Sequence, residues 1–84
     1  MVYTLYILYS VTADKYYVGI TSDILDERIR RHNSNHSGFT GRSKDWKLVY
    51  KEDFTEKVKC QRREKEIKGW KSRKRIEKLI NSVQ

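Results

Sequence analysis

Residues 16–32, YYVGITSDILDERIRRH, constrain the fold more than any other part of this sequence. The aromatic and β-branched residues 16–20 predict a strand, and Gly19 within it permits the close approach of another backbone or a ligand. The polar residues 21–23 supply capping oxygens, so a helix is expected to begin within a residue of Asp23. The sequence therefore predicts a strand, a tight polar break and a helix.

The predicted helix carries two polar residues on its apolar stripe. Leu25, Arg28, Ile29 and His32 recur at i, i+3, i+4 and i+7, which places them on one side of the helix. Arg28 and His32 are thus expected to face the sheet. A simpler interpretation is an arginine whose stem lies along the apolar stripe with its head in water, followed by a helix-terminal histidine.

Composition limits the kind of protein. Eighty-four residues suffice for one small domain with one core, so we expect residues 1–84 to form a single domain. The single Cys60 excludes an internal disulfide, and no Cys/His cluster has zinc spacing. No apolar run approaches the roughly 18 residues of a membrane span, and no signal-peptide pattern is present. We expect a soluble, cytoplasmic protein with no membrane association.

The net charge of +8 is concentrated in one region. Residues 57–78 contain eleven Lys/Arg and three Glu, whereas the rest of the chain contains eight basic and eight acidic residues. A localised basic surface is typical of nucleic-acid binders, because neutralised phosphates release counterions. The alternative is a solvated helical face that keeps the protein soluble.

The first strand is predicted over residues 2–9, which are rich in β-forming residues and too short and β-branched to favour a helix. It is expected to form an antiparallel hairpin with residues 16–20. Alternation places Tyr6 on the face opposite Leu5 and Ile7.

The middle of the chain predicts a loop and a third strand. Residues 33–45 are rich in Asn, Ser and Gly and are expected to form a loop, in which Arg42 is a candidate phosphate contact. Residues 46–52 alternate apolar and charged side chains, as expected of a strand near a sheet edge.

Two helices follow. Thr55 is a candidate cap for a helix that ends at Gly69, and Ser72 is expected to start the last helix. Trp70 between them is interpreted as a core residue. The predicted fold is α+β, with a small three-stranded, mainly antiparallel β-sheet flanked by three helices in the order β-β-α-β-α-α.

Glu64 needs an explanation. With Cys60 and Ile67 it falls at i, i+4 and i+7, which turns a glutamate towards the apolar side of a basic helix. It either pairs with an arginine, for which Arg28 is a candidate, or binds Mg²⁺ together with water and a substrate phosphate. Spacing alone does not separate these interpretations.

Five strings of residues together resemble the GIY-YIG nuclease superfamily. They are TLY and YYVGIT in the first hairpin, the Arg28–His32 pair followed by Asn33, WKLVY, and the RE and IK pairs at 63–64 and 67–68. The similarity covers about residues 2–80 and is greatest to small, stand-alone, single-domain bacterial members. Thr4 stands where the first motif has its glycine, and Val18 stands where the second has isoleucine.

The resemblance implies hydrolysis of DNA phosphodiester bonds with one divalent metal ion, Mg²⁺ or Mn²⁺. It implies that Tyr6 activates or positions water, that Tyr17 lines the same site, and that Arg28 contacts the scissile phosphate. It further implies that His32 assists proton transfer and that Glu64 binds the metal. Whether Tyr6 or His32 is the general base stays open, because tyrosine is a poor base at its reference pKa of about 10.

The expected activity is therefore that of a metal-dependent DNA endonuclease, with structure-selective cleavage as a finer expectation. The alternative is a non-catalytic nucleic-acid-binding module with the same fold. DNA is the expected partner, RNA is compatible with the same charge, and a protein partner is a further source of specificity. The candidate nucleic-acid-binding residues are Arg42, Lys68, Lys71, Arg73, Lys74 and Arg75.

Overall fold

The computed structural model of the protein describes residues 1–34 and 43–82. The elements are β1 (Tyr3–Ser10), β2 (Lys15–Thr21), α1 (Leu25–Ser34), β3 (Lys47–Phe54), α2 (Lys57–Gly69) and α3 (Arg73–Asn81). The sheet has the order β2-β1-β3 with both strand pairs antiparallel, so β2 and β3 are its edges. The α+β class, the order of elements and the edge position of the third strand confirm the sequence-based prediction.

The central strand β1 divides the interior into two clusters because its side chains alternate between the faces of the sheet. Leu5 and Ile7 pack with residues of α2 and α3, including Cys60, Ile67 and Ile80. Tyr6 and Leu8 pack on the other face with Trp46 and the apolar stripe of α1, Leu25 and Ile29. The predicted separation of Tyr6 from Leu5 and Ile7 is confirmed, and α1 lies across the Tyr6 face.

Helix α1 is shifted slightly relative to its prediction. The Thr21 hydroxyl oxygen accepts a hydrogen bond from the Asp23 amide at 3.0 Å. This bond keeps Asp23 in the turn between β2 and α1. The first helical hydrogen bond runs from the Arg28 amide to the Ile24 carbonyl at 3.1 Å. The helix also includes Asn33 and Ser34, which the sequence assigned to a loop, and most of that predicted loop lies outside the described residues.

Of the two N-cap predictions for α2 and α3, one is wrong and one is confirmed. The prediction that Thr55 caps α2 is wrong, because the N-cap is Glu56 in an extended conformation with no side-chain cap hydrogen bond. The prediction for α3 is confirmed, since the Ser72 hydroxyl accepts a hydrogen bond from the Arg75 amide at 3.3 Å. No helix within the described ranges is long and apolar enough to cross a membrane.

Trp46 lies just before β3, whereas the sequence placed it in the strand. The side-chain amide of Asn33 accepts a hydrogen bond from the Trp46 amide at 2.8 Å and donates one to the Trp46 carbonyl at 3.1 Å. This pair ties the last turn of α1 to the start of β3. It also holds the buried indole against the Tyr6 face of the sheet.

Candidate active site

Tyr6 lies at the centre of the candidate site, in the middle of β1 and fully buried. Its hydroxyl oxygen accepts a hydrogen bond from Arg28 Nε at 3.3 Å and lies 3.0 Å from His32 Nε2. Arg28 and His32 are one turn apart on the sheet-facing side of α1, as their spacing predicts. Three of the five residues expected in the site therefore meet at one oxygen atom.

Gly19 explains how this oxygen reaches the edge of the sheet. Gly19 of β2 pairs directly with Tyr6 in the β1–β2 register. A Cβ atom at Gly19 would lie 2.7 Å from the Tyr6 hydroxyl oxygen and 2.8 Å from the ring carbon that bears it, which is too close for any side chain. The close approach that the glycine predicted is thus made by the Tyr6 side chain.

Tyr17 closes one side of the site. Its ring centroid lies 4.7 Å from that of His32 and 6.3 Å from that of Tyr6. It also meets the Trp46 ring edge-on at 6.4 Å. No local sequence signal indicates this role of Trp46, because its position depends on the hydrogen bonds with Asn33, thirteen residues away.

The electrostatic environment sets the protonation of the cluster. Burial raises the pKa of Tyr6, and the nearby guanidinium of Arg28 only partly opposes this effect. Burial and the positive charge of Arg28 both lower the pKa of His32, while the hydrogen bond to Tyr6 raises the pKa of Arg28. At neutral pH the site therefore holds a protonated phenol, a neutral imidazole and a charged guanidinium.

These protonation states define one of the two hydrogen-bond directions. A guanidinium only donates, so the Tyr6 oxygen is the acceptor from Arg28. In the tautomer that carries its hydrogen on Nδ1, the neutral His32 imidazole accepts the Tyr6 hydrogen at Nε2. The arrangement provides a short proton path from the hydroxyl to the ring.

Glu64 approaches from α2, where it lies between the buried Cys60 and Ile67. Its side chain is 24% exposed, and its carboxylate lies 3.2 Å from Lys68 Nζ. Its negative charge contributes to the raised pKa of Tyr6, so the carboxylate acts electrostatically on the Tyr6 hydroxyl. The recorded ion-pair partner is Lys68 rather than an arginine.

The candidate nucleic-acid-binding residues have different surroundings. Lys71 and Lys74 are exposed, and the Arg75 guanidinium lies 4.8 Å from the centroid of the Trp70 ring, which packs against the core. Arg73 forms ion pairs with the carboxylates of Asp14 and Glu77. Arg42 lies outside the described residues.

Comparison with known proteins identifies the family. A family model of the GIY-YIG catalytic domain matches residues 2–78. The chain belongs to the GIY-YIG family. It is also similar to the solution NMR structure of the UPF0213 protein BH0048 from Bacillus halodurans, with a TM-score of 0.62 and 32% identity over 96% of this chain and 84% of that one. Among curated proteins, no relative matches significantly.

Membership of the GIY-YIG family implies a nuclease-type function on nucleic acid, and nucleases of this family generally use a divalent metal ion. Among residues 1–34 and 43–82, no group of three or more His, Cys, Asp or Glu side chains is placed to hold a metal ion. Glu64 nevertheless fits a hard cation of the Mg²⁺ type. Such a cation keeps several waters and needs only one or two carboxylates beside a substrate phosphate.

Proposed function

We propose that this GIY-YIG protein is a metal-dependent endonuclease that hydrolyses phosphodiester bonds in DNA. The observation that supports the proposal most is the buried Tyr6 hydroxyl, held between the Arg28 guanidinium and the His32 imidazole. It brings a hydroxyl, a cation and a neutral base to one point beside an open sheet edge. These groups suit phosphodiester hydrolysis, which is accelerated by a positioned proton acceptor and by positive charge beside the phosphate.

Arg28 is proposed to bind a non-bridging oxygen of the scissile phosphate. A phosphodiester gains negative charge as the attacking oxygen adds to phosphorus, so a fixed positive charge stabilises the transition state more than the ground state. The bond to Tyr6 uses Nε of Arg28, and it holds the guanidinium in place before substrate arrives.

His32 is proposed as the proton acceptor, acting through Tyr6. The Tyr6 oxygen takes a proton from the attacking water while its own hydrogen passes to His32 Nε2, which becomes an imidazolium. A free tyrosinate is disfavoured because burial raises the pKa of Tyr6, whereas the lowered pKa of His32 leaves its ring neutral and able to accept. Tyr17 is proposed to shield the proton path between Tyr6 and His32 from solvent.

Glu64 is proposed to hold the divalent ion, Mg²⁺ or Mn²⁺. When bound, the ion would polarise the phosphate and lower the pKa of the attacking water. Lys68 pairs with the carboxylate at 3.2 Å in this structure, and the ion would compete with it for the carboxylate oxygens.

The proposed specificity is for the shape of the DNA rather than its sequence. The candidate contacts are lysine and arginine side chains suited to phosphates, and phosphate contacts carry no sequence information directly. We therefore expect selection among single-stranded, duplex, flap and branched substrates. The non-catalytic binding module is the outcome to expect if no substrate is cut.

The test is cleavage of a labelled panel of these DNA shapes with Mg²⁺, Mn²⁺ or EDTA. Wild type should cut at least one shape in a metal-dependent way, and Glu64→Ala should lose cleavage while still binding DNA. Glu66→Ala is the matched control, because Glu66 lies two residues away and pairs with Arg63 at 2.8 Å. Equal cleavage by wild type and Glu64→Ala would contradict the assignment of the site.

A further inference from the structure

Lys57, Glu64 and Lys68 lie along one side of α2. Their separations of seven and four residues return to nearly the same angle at 3.6 residues per turn. The other flank of α2 is occupied by Arg63, which binds Glu52 of β3 at 3.0 Å. Since β3 lies on that flank, the flank with Lys57, Glu64 and Lys68 faces the β2 edge.

Two cavities lie along this edge. The first, the Arg28 cavity, has a volume of about 260 Å³ and is lined by the Thr21 end of β2 together with Arg28 and Lys57. The second, the Lys68 cavity, has a volume of about 320 Å³ and is lined by residues 16–18 of β2 together with Lys68 and Lys71. Gly19, beneath the Tyr6 hydroxyl, lies between the two stretches of β2 that line the cavities.

The Arg28 cavity is suited to an anion. Arg28 and Lys57 contribute two positive charges, and the one carboxylate in its lining, Asp23, has Arg31 at 4.0 Å. Lys57 is exposed, and within the described ranges no ion pair holds it. An exposed lysine beside an arginine that is held by Tyr6 can contact a phosphate that enters the cavity.

The Lys68 cavity also carries two positive charges, at the other end of β2, although Lys68 shares its charge with the Glu64 carboxylate at 3.2 Å. Two lysines stand over an apolar floor that includes Val18 and Ile67. Positive charge is therefore present at both ends of the edge, and Glu64 lies between Lys57 and Lys68 along α2. Lys57 and Lys68 are eleven residues apart, about 16 Å along the helix, which corresponds to about five nucleotide steps of duplex.

We propose that one DNA strand lies along the β2 edge. Lys57, beside Arg28, holds a phosphate on one side of the scissile bond, and Lys68 and Lys71 hold a phosphate on the other side. The inference rests on the proposed function only in taking DNA as the substrate. It makes Lys57 a substrate-positioning residue, in addition to the nucleic-acid contacts expected from the sequence.

The test compares Lys57→Ala with Lys59→Ala. Lys59 lies in the same first turn of α2 but about 200° around the helix, and its exposed pair with Glu56 at 3.0 Å contributes little to stability. Both variants remove one positive charge. The dissociation constant for a short labelled DNA duplex is measured over a range of salt concentrations in EDTA, which separates binding from cleavage.

Lys57→Ala should make the slope of log K against log salt less negative by about 0.9, the value of one lost phosphate contact. Lys59→Ala should leave the slope unchanged. The double variant Lys57→Ala/Lys71→Ala should change the slope by about 1.8, because the two lysines contact separate phosphates. An unchanged slope for Lys57→Ala, or the same change for Lys59→Ala, would overturn the strand path.

Cleavage by wild type is measured separately, so the two proposals fail in different ways. If wild type cuts DNA but Lys57→Ala shows no change in slope, the proposed function stands and the proposed strand path is wrong. If wild type cuts no DNA but the slope changes in Lys57→Ala and not in Lys59→Ala, the proposed function is wrong and the strand path stands. A wild type that binds no DNA contradicts both.

Discussion

Among the described residues, two of the clusters in which an arginine meets tyrosines, those of Arg28 and Arg73, differ in their chemistry. In the Arg28 cluster the guanidinium donates to the neutral Tyr6 hydroxyl, which also contacts His32. In the Arg73 cluster the guanidinium donates to the carboxylates of Asp14 at 2.6 Å and Glu77 at 3.1 Å. The first cluster adds positive charge to a cavity, whereas the second has its charge balanced by carboxylates.

The Arg73 cluster joins distant parts of the chain. Arg73 Nη1 also donates to the Asp14 carbonyl at 3.1 Å, and its guanidinium lies 5.4 Å from the Tyr16 ring centroid. Asp14 has a positive φ of 52°, and its hydrogen bonds with Arg73 and Tyr9 lower its pKa to about 2. The cluster holds the β1–β2 turn against α3.

The comparison indicates that the groups to which an arginine donates hydrogen bonds are a better guide to its role than its position on a basic helix. The sequence assigned Arg73 to nucleic-acid binding because it lies in a run of positive charge. Its guanidinium is occupied by two carboxylates, so we leave it out of the proposed DNA contacts. Arg28 has its bond to a neutral phenol and keeps its charge available to a phosphate.

A large effect on both cleavage and stability should come from disrupting the support of the Arg28 cluster. Gly19→Ala would place a Cβ atom 2.7 Å from the Tyr6 hydroxyl oxygen, so the Tyr6 ring must move away from Arg28 and His32. We expect cleavage to fall about 100-fold or more and stability to fall by about 1–3 kcal/mol, as overpacking in a core does. Cleavage kinetics and thermal unfolding measure the two effects.

Gly69→Ala is the matched control for this substitution. A Cβ atom at Gly69 has no neighbour within 4 Å, so cleavage should stay at the wild-type level and stability should hold or rise slightly. Wild-type cleavage by Gly19→Ala would show that the position of Tyr6 does not matter for the reaction.

A smaller effect concerns the pH dependence of His32. Burial and Arg28 lower its pKa below the ordinary value of 6.5, so kcat/KM should fall only as the pH drops below this value. Arg28→Ala should move the NMR titration midpoint of His32 upwards, because a nearby positive charge is lost. The unfolded chain binds this proton more readily, so acidification through about pH 6.5 should also destabilise the fold.

The expected titration depends on the groups near His32, which include Tyr6, Tyr17 and Arg28. A downward shift in Arg28→Ala would mean that Arg28 does not act on the imidazole through its charge. The Arg73→Ala variant should leave the midpoint unchanged, since no contact between Arg73 and the Arg28 cluster is recorded in the described residues.

The sequence predicted the fold because its signals are local. The strands follow from β-forming alternation, α3 from its Ser72 cap, and the meeting of Arg28 and His32 from their spacing of four residues. Thr55 was misassigned as a cap because several polar residues precede α2 and their local propensities are similar. The start of α1 depended on a single Thr21 hydroxyl bond that spacing does not reveal.

The remaining features depend on partners far away in the chain. Arg73 meets Asp14 across 59 residues, and Trp46 is held by Asn33 across 13. Lys57 lines the Arg28 cavity only because α2 packs along the β2 edge. No local periodicity predicts such contacts, although the glycine at position 19 did mark the place where two elements approach closely.

The central claim is that the Arg28 cluster carries the chemistry and the Arg73 cluster carries structure. The most direct test measures the single-turnover cleavage rate and the melting temperature of Arg28→Ala and Arg73→Ala side by side. We predict that Arg28→Ala lowers the rate by about 10²–10³-fold with little change in melting temperature. Arg73→Ala should lower the melting temperature and leave the rate near wild type. Equal rate losses in both variants, or a normal rate in Arg28→Ala, would contradict the claim.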